Sequence, residues 1–280
     1  MSAPVGVFDS GVGGLSILQA LRARLPDESF IYVADSGHAP YGERSAAFVE
    51  SRALAVAHFL ISQQAKAMVI ACNTASVVAA ARLRQTHTLP IVAMEPAIKP
   101  AVISTRSKVV LVLATGGTLR SEAVARLCQT YGEGVRIVLQ ACPGLATQVE
   151  RGELDSAKTQ RLLRRFLLPG LEAGADTIVL GCTHYAFLMS GIAALAGPGV
   201  QLIEPSDAIA RQLVRVMPSA GERQAIHRSQ NQFYTSGAID RLTAFLAVIG
   251  EPNGQARSLP SLAPATRDSP PPGARARRDG

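Results

Sequence analysis

Short apolar runs alternate with longer amphipathic stretches along most of the chain. Val5–Phe8, Phe30–Val33, Met68–Ala71 and Ile91–Met94 read as strands in the first part, and Val109–Leu113, Val135–Leu139, Thr177–Leu180 and Val200–Ile203 in the second. Several are apolar at nearly every position, the pattern of a strand buried on both faces of a parallel sheet. Between them, residues 45–64 place Phe48, Ala55, Phe59 and Leu60 at helical spacing. Residues 156–168 and 206–217 show the same period, and Pro169 and Pro218 are expected to stop them. The alternation predicts an α/β fold: two similar α/β domains with mainly parallel sheets.

The two domains are suggested by an internal echo. Met68–Thr74 (MVIACNT) and Ile178–His184 (IVLGCTH) are each an apolar strand followed by Cys and small polar residues. Ligands of open α/β sheets bind at such strand ends, so two halves facing each other could flank one small molecule with two thiols.

Composition narrows the field. The 280 residues are 48 % hydrophobic, too apolar for a chain disordered throughout, and enough for about two domains. Aromatics are 5 % with no Trp, which speaks against base-stacking surfaces and carbohydrate platforms. No run reaches about 18 uncharged apolar residues, and the amino terminus lacks the basic and long apolar regions of a signal peptide. No membrane partner is expected, and a cytoplasmic protein is. Four cysteines without a close pair are not a disulfide framework. The net charge of +7 invites a nucleic-acid partner, but residues 251–280 alone hold five Arg against three acids. That segment also holds six Pro and no aromatic, so it reads as a disordered tail, dispensable for chemistry. The mildly basic body suits an acidic small molecule as well as a polyanion, and charge alone does not make nucleic acid a partner.

Four stretches could carry chemistry. Asp9-Ser10-Gly11-Val12-Gly13-Gly14 follows the first strand as a glycine-rich turn. It is neither a Walker A loop nor a dinucleotide fingerprint, and reads either as a capped turn or as a site for a carboxylate or amino group. Ala39-Pro40-Tyr41-Gly42 is a turn on the same face. Cys72-Asn73-Thr74 puts a thiol beside two hydrogen-bonding side chains at a strand end. Cys182-Thr183-His184-Tyr185 sets a thiol two residues from an imidazole, the side chain that titrates near neutral pH. Cys128 and Cys142 read as structural thiols; His38, His58, His87 and His227 form no pattern. No Cys-x-x-Cys or His-x-x-x-His pair exists, so no metal is expected.

Taken together, these motifs, the Ala114-Thr115-Gly116-Gly117-Thr118 turn and Thr235-Ser236-Gly237 resemble the glutamate racemases of the cofactor-independent aspartate/glutamate racemase superfamily, in the family's order over residues 5–248. The resemblance implies a first domain of residues 1–95 plus 207–250, an inserted second domain of 96–206, and an active site in the cleft between them. It implies racemisation of glutamate without a cofactor, supplying D-glutamate for peptidoglycan, with Cys72 and Cys182 as the acid/base pair. Asp9, His184 and Glu150 would assist the thiols. Asp9, Ser10, Tyr41, Gly42, Asn73, Thr74, Thr183 and His184 would bind glutamate. A homodimer is a candidate assembly. The chain departs from the family at Asp35-Ser36-Gly37-His38 and at Glu204-Pro205-Ser206, which bears on packing around the site and not on the thiols.

Chemistry agrees with the resemblance. Inverting a Cα centre needs a base on one face and an acid on the other, and two thiols can exchange these roles. Two alternatives stand beside it: an aspartate racemase, where Glu and not His184 would follow the second Cys-Thr, and a non-enzymatic glutamate-binding regulator, which the presence of both cysteines opposes.

Overall fold

The computed structural model describes residues 3–217 and 230–262. Among these residues ten strands form in chain order: β1 (Val5–Asp9), β2 (Phe30–Ala34), β3 (Ala67–Ile70), β4 (Ile91–Ala93), β5 (Val109–Ala114), β6 (Arg136–Ala141), β7 (Thr177–Gly181), β8 (Gln201–Ile203), β9 (Gln232–Thr235) and β10 (Ala256–Ser258). They build two all-parallel sheets, ordered β10-β9-β2-β1-β3-β4 and β6-β5-β7-β8. The chain thus enters the second sheet after β4 and returns to the first after β8. The helices are α1 (Leu15–Arg24), α2 (Ala46–Ser62), α3 (Asn73–Thr86), α4 (Ile98–Ser104), α5 (Gly116–Leu119), α6 (Glu122–Tyr131), α7 (Leu145–Glu150), α8 (Ala157–Glu172), α9 (Met189–Ala196), α10 (Ser206–Val216) and α11 (Ile239–Val248).

The apolar runs become strands because helices cover both faces of each sheet. β1, β2, β3 and β7 are buried along their whole length. Polar side chains start the helices: Ser45, Thr115, Ser121 and Ser156 each accept a backbone N–H of the first turn of α2, α5, α6 and α8. Glu204, one of the departures from the family, does related work at α10, accepting from Ser206 N–H at 3.0 Å and its hydroxyl at 2.6 Å. α10 packs on α1 and β4, while one continuous apolar cluster runs from Leu15 and Leu18 through Tyr185 and Leu188 into the second half. The two lobes therefore share a core.

Two expectations need correction. Pro169 does not stop α8, which continues to Glu172. A proline removes one backbone donor without forbidding the turns after it, and the following turn is held by packing: Gly170 lies so close to β5 that a Cβ there would sit 2.6 Å from Leu111 Cδ1. The run at 135–139 does form a strand, β6, which lies at a sheet edge with Leu139 exposed. Residues 251–262 are not part of a disordered tail. β10 pairs in parallel with β9, Leu259 N–H donates to Thr235 C=O at 2.7 Å, and the Leu259 side chain is buried in the first lobe's core. The pairing satisfies backbone groups and the leucine adds apolar burial, which outweighs the ordering of a Pro- and Gly-containing segment. Residues 263–280 lie outside the described residues, as do Pro218 and His227.

Candidate active site

Parallel strands collect their carboxyl ends at one edge of each sheet, and the two edges meet. From the first lobe, Ser10 follows β1, Tyr41 and Gly42 follow β2, and Cys72, Asn73 and Thr74 follow β3. From the second, Thr115 follows β5, Ala146 lies on α7, and Cys182, Thr183 and His184 follow β7. All of them line one cleft, which has closed to about 10 Å³ of free space. Asp9 and Glu150 lie directly behind its wall.

Cys72 ends β3 and caps α3, its sulfur accepting the Ala75 N–H at 3.5 Å while its thiol lies 3.7 Å from Ser10 Oγ. Burial pushes the thiol well above its ordinary value, and the nearby Asp9 charge adds to this. Asp9 is itself fully buried; burial raises its pKa against the opposing effects of His184 and of the Gly14 N–H, which it accepts at 2.7 Å.

His184 Nδ1 lies 3.7 Å from Cys182 Sγ, and its Nε2 lies 2.7 Å from Glu150 Oε1. Burial disfavours the imidazolium, but the bonds to Cys182 and Glu150 outweigh it and raise His184 well above the ordinary histidine value. Burial likewise works against the Glu150 carboxylate, and the His184 bond, with help from Val12 and Ser36, holds it below the usual range. The two buried groups form a charged pair.

Glu150 also joins the lobes. Its Oε1 accepts the Val12 N–H at 2.7 Å and its Oε2 the Ser36 hydroxyl at 3.1 Å, both from the first lobe. This explains the glycine-rich turn. A Cβ at Gly11 would lie inside the Glu150 carboxylate, and one at Gly13 would lie 2.5 Å from His184 Nδ1. The turn is glycine so that acid and base groups of the second lobe can lie against its backbone.

Two polar features remain open to a ligand. Both amide atoms of buried Asn73 have no hydrogen-bond partner among the described residues, which is costly unless a ligand or water supplies one. Thr74, Thr115 and Thr118 form a triangle of hydroxyls, 2.9 to 3.2 Å apart, across the lobe boundary. Such donors and acceptors suit the amino and carboxylate groups of an amino acid.

The turn before Tyr41 is held by buried Asp35, which accepts from Arg52 Nε and Nη2 at 2.9 and 2.8 Å, from the Tyr41 hydroxyl at 2.6 Å, and lies 3.0 Å from His38 Nδ1. Burial pushes the Asp35 pKa up, but the Arg52 and Tyr41 bonds outweigh it and hold it below 3.8. Removing one partner of such a buried pair costs about 3 kcal/mol, so Asp35→Asn is expected to lower stability by that order at pH 7. Because the folded pKa is depressed, this contribution is present above about pH 4 and is lost as pH falls through the folded value. Urea unfolding of both proteins from pH 7 to 3 checks it: the gap between them should narrow as the solution is acidified.

Cys128 is half-buried on α6, and Cys142 is buried beside the cleft with its thiol pushed up to about 12 by burial. His58 and His87 meet edge-on away from the cleft, their centroids 5.6 Å apart. Among the described residues, no three His, Cys, Asp or Glu side chains are grouped to hold a metal, and no helix is long and apolar enough to cross a membrane.

The model of the Asp/Glu/hydantoin racemase family matches residues 15–213. The chain belongs to that family. Within it, the glutamate racemase of Methylococcus capsulatus is 48 % identical over 259 residues, covering 92 % of this chain and 96 % of the relative. That of Pseudomonas aeruginosa PAO1 is 46 % identical over 249 residues, covering 89 % and 94 %. Among solved structures, Escherichia coli glutamate racemase, in complex with L-glutamate and the activator UDP-MurNAc-Ala, superposes with a TM-score of 0.82 at 30 % identity, covering 94 % of this chain and all of that one. The chain thus stands among the glutamate racemases of the family.

Every site residue expected from the sequence lies in the cleft or against its wall. Reading the sequence placed Pro40, Thr115 and Thr118 in its motifs without giving them a role, and did not single out Ala146 in the lining or a role for Ser36 behind it. Thr115 had a usable signal, since it follows a buried strand as Cys72 and Cys182 do. Ser36 had none: its partner is 114 positions away.

Proposed function

We propose that the chain interconverts L- and D-glutamate by proton transfer at Cα between two thiols, Cys72 of the first lobe and Cys182 of the second. One observation carries this reading: equivalent strand ends of two similar lobes deliver one buried thiol each to a single closed cleft, beside an Asn73 amide with no partner of its own. A Cα–H held between two such thiols can lose its proton on one face, and the flat carbanion that results can be protonated on the other.

The surroundings fit that work. Burial and the Asp9 charge favour the protonated form of Cys72, the form that donates in the L-to-D direction. His184, charged through its pairing with Glu150, is within reach to donate to Cys182 when that thiol has lost its proton. In the L-to-D direction Cys182 takes the Cα proton and Cys72 returns one; the D-to-L direction reverses the roles. Asn73, Ser10 and Thr183 offer donors to the α-carboxylate, where negative charge develops. The threonine triangle at 74, 115 and 118 suits the side-chain carboxylate. The closed cleft excludes water, which strengthens each of these interactions.

The D-glutamate formed is a peptidoglycan building unit, and the cytoplasm as its place and a homodimer as the assembly accompany this reading. Incubating the protein with L-glutamate alone and following optical rotation tests it. Rotation should fall to zero without added cofactor, and kcat/KM for L-glutamate should exceed that for L-aspartate. Unchanged rotation would overturn the activity, and a preference for aspartate would overturn the specificity.

A further inference from the structure

The cleft that would receive glutamate, an ion of net charge −1, has no Lys or Arg in its lining among the described residues. The carboxyl groups buried nearest to it are Asp9, Asp35 and Glu150, and His184, the cation in its lining, is already paired with Glu150. Arg52 is committed to Asp35 through two hydrogen bonds, and Arg44 lies over the Phe48 ring. The fixed charge around the cleft therefore does little to draw an anion in.

A second cavity of about 260 Å³ adjoins the cleft and shares Pro40, Gly42, Thr115 and Ala146 with it. It is roomy enough for a free amino acid, whereas the cleft itself is nearly shut. Among the described residues, Arg120 is the single Arg or Lys lining either space, and Glu43 is the single carboxylate lining this one. Both side chains are exposed, and neither forms an ion pair among the described residues. Arg120 closes α5, one turn beyond Thr115, and its guanidinium lies back over Gly116. A Cβ at 116 would meet Arg120 Nη1 at 2.8 Å, so glycine there lets the cation lie along the cavity wall.

We propose that this cavity is the vestibule through which glutamate reaches the thiols, and that Arg120 captures the substrate's carboxylate on the way in. The inference rests on glutamate as the substrate. Arg120 acts on the approaching ion and touches no reacting atom. Its contribution belongs to kcat/KM and KM, and it weakens with salt, because an exposed charge is screened over about 8–10 Å at physiological ionic strength. Glu43, facing the same space, opposes it.

The test is steady-state racemisation of L-glutamate by wild type, Arg120→Gln, Arg120→Lys and Glu43→Gln, from low to high ionic strength. Arg120→Gln should lower kcat/KM about fivefold at low salt, leave kcat within about twofold, and lose most of the salt dependence. Arg120→Lys should restore most of the loss, and Glu43→Gln should raise kcat/KM. Unchanged kinetics in Arg120→Gln, or a loss confined to kcat, would overturn the proposal. So would a fall in kcat/KM in both the Arg120→Gln and Glu43→Gln variants, since that pattern belongs to a structural Arg–Glu contact. A wild type inactive on glutamate would instead overturn the assigned substrate, which separates the two failures.

Discussion

Cys72→Ser and Cys182→Ser are each expected to lower racemisation by about a thousandfold or more, with the fold intact. A serine hydroxyl is hardly ionised at neutral pH, and a positioned acid or base contributes about 10² to 10⁴ in rate. Racemisation needs both faces of Cα, whereas proton removal needs only one. A glutamate analogue with a leaving group at Cβ separates the two, because elimination follows abstraction without any proton being returned. Cys72→Ser keeps Cys182 and should eliminate from the L-analogue alone; Cys182→Ser should eliminate from the D-analogue alone. Cys128→Ser and Cys142→Ser, whose thiols are absent from the cleft lining, should racemise near the wild-type rate. Undiminished racemisation by either Cys72→Ser or Cys182→Ser would end the two-thiol mechanism for this protein.

The second large effect is expected from a single methyl group. Gly11→Ala places Cβ where the Glu150 carboxylate sits, so Glu150 must leave and give up its bonds to the Val12 N–H and to His184. His184 then keeps a buried charge with no counterpart, and its geometry toward Cys182 is no longer fixed. We expect kcat to fall about a hundredfold, within the range for a disabled acid/base partner, and stability to fall by about 1–3 kcal/mol, as overpacking does. The double variant Gly11→Ala/Glu150→Ala decides whether the damage runs through Glu150. Residues acting through one contact are not additive, so the double variant should be close to Glu150→Ala alone. Two independent, additive losses would show that Gly11 matters for another reason.

The parts of the fold legible in the sequence are those that carry an apolar run, in the interior of a sheet or, as in β4, β6 and β8, at its edge. β1, β2, β3, β5 and β7 carry apolar runs because each is a central strand. β9 and β10 did not stand out. The Gln-Phe-Tyr-Thr of β9 alternates between buried and half-buried positions over only four residues, and β10 reads Ala-Arg-Ser because an outermost strand needs its backbone paired more than its side chains buried. The Pro- and Arg-rich composition beyond Gly250 hid Leu259, which fills a core position.

At the site, the two thiols and His184 were legible because each follows a buried strand in a recognisable setting. Glu150 was reachable by resemblance only. A lone glutamate in Val-Glu-Arg-Gly carries no periodicity or spacing that marks it, and its meaning appears once the turn at 11–13 lies against it. Asp35 and Ser36 belong to the same class. Their partners, Arg52 and Glu150, are set by tertiary packing that no local pattern encodes.

The ring of hydroxyls at Thr74, Thr115 and Thr118 has a bearing on how the site waits between turnovers. Three alcohols at mutual hydrogen-bonding distance can each give one proton to the next, so the ring satisfies its own donors. An arriving oxygen anion asks only that protons swing about C–O bonds, while the carbon skeletons stay where the lobes hold them. Recognition at this corner is thus a rotation of hydrogens, and the same reversal lets the product go. Valine at any one corner would break the circuit even with the pocket empty, leaving a neighbour with an unanswered donor or acceptor. Shape alone would not reveal that harm, because valine and threonine occupy nearly the same space.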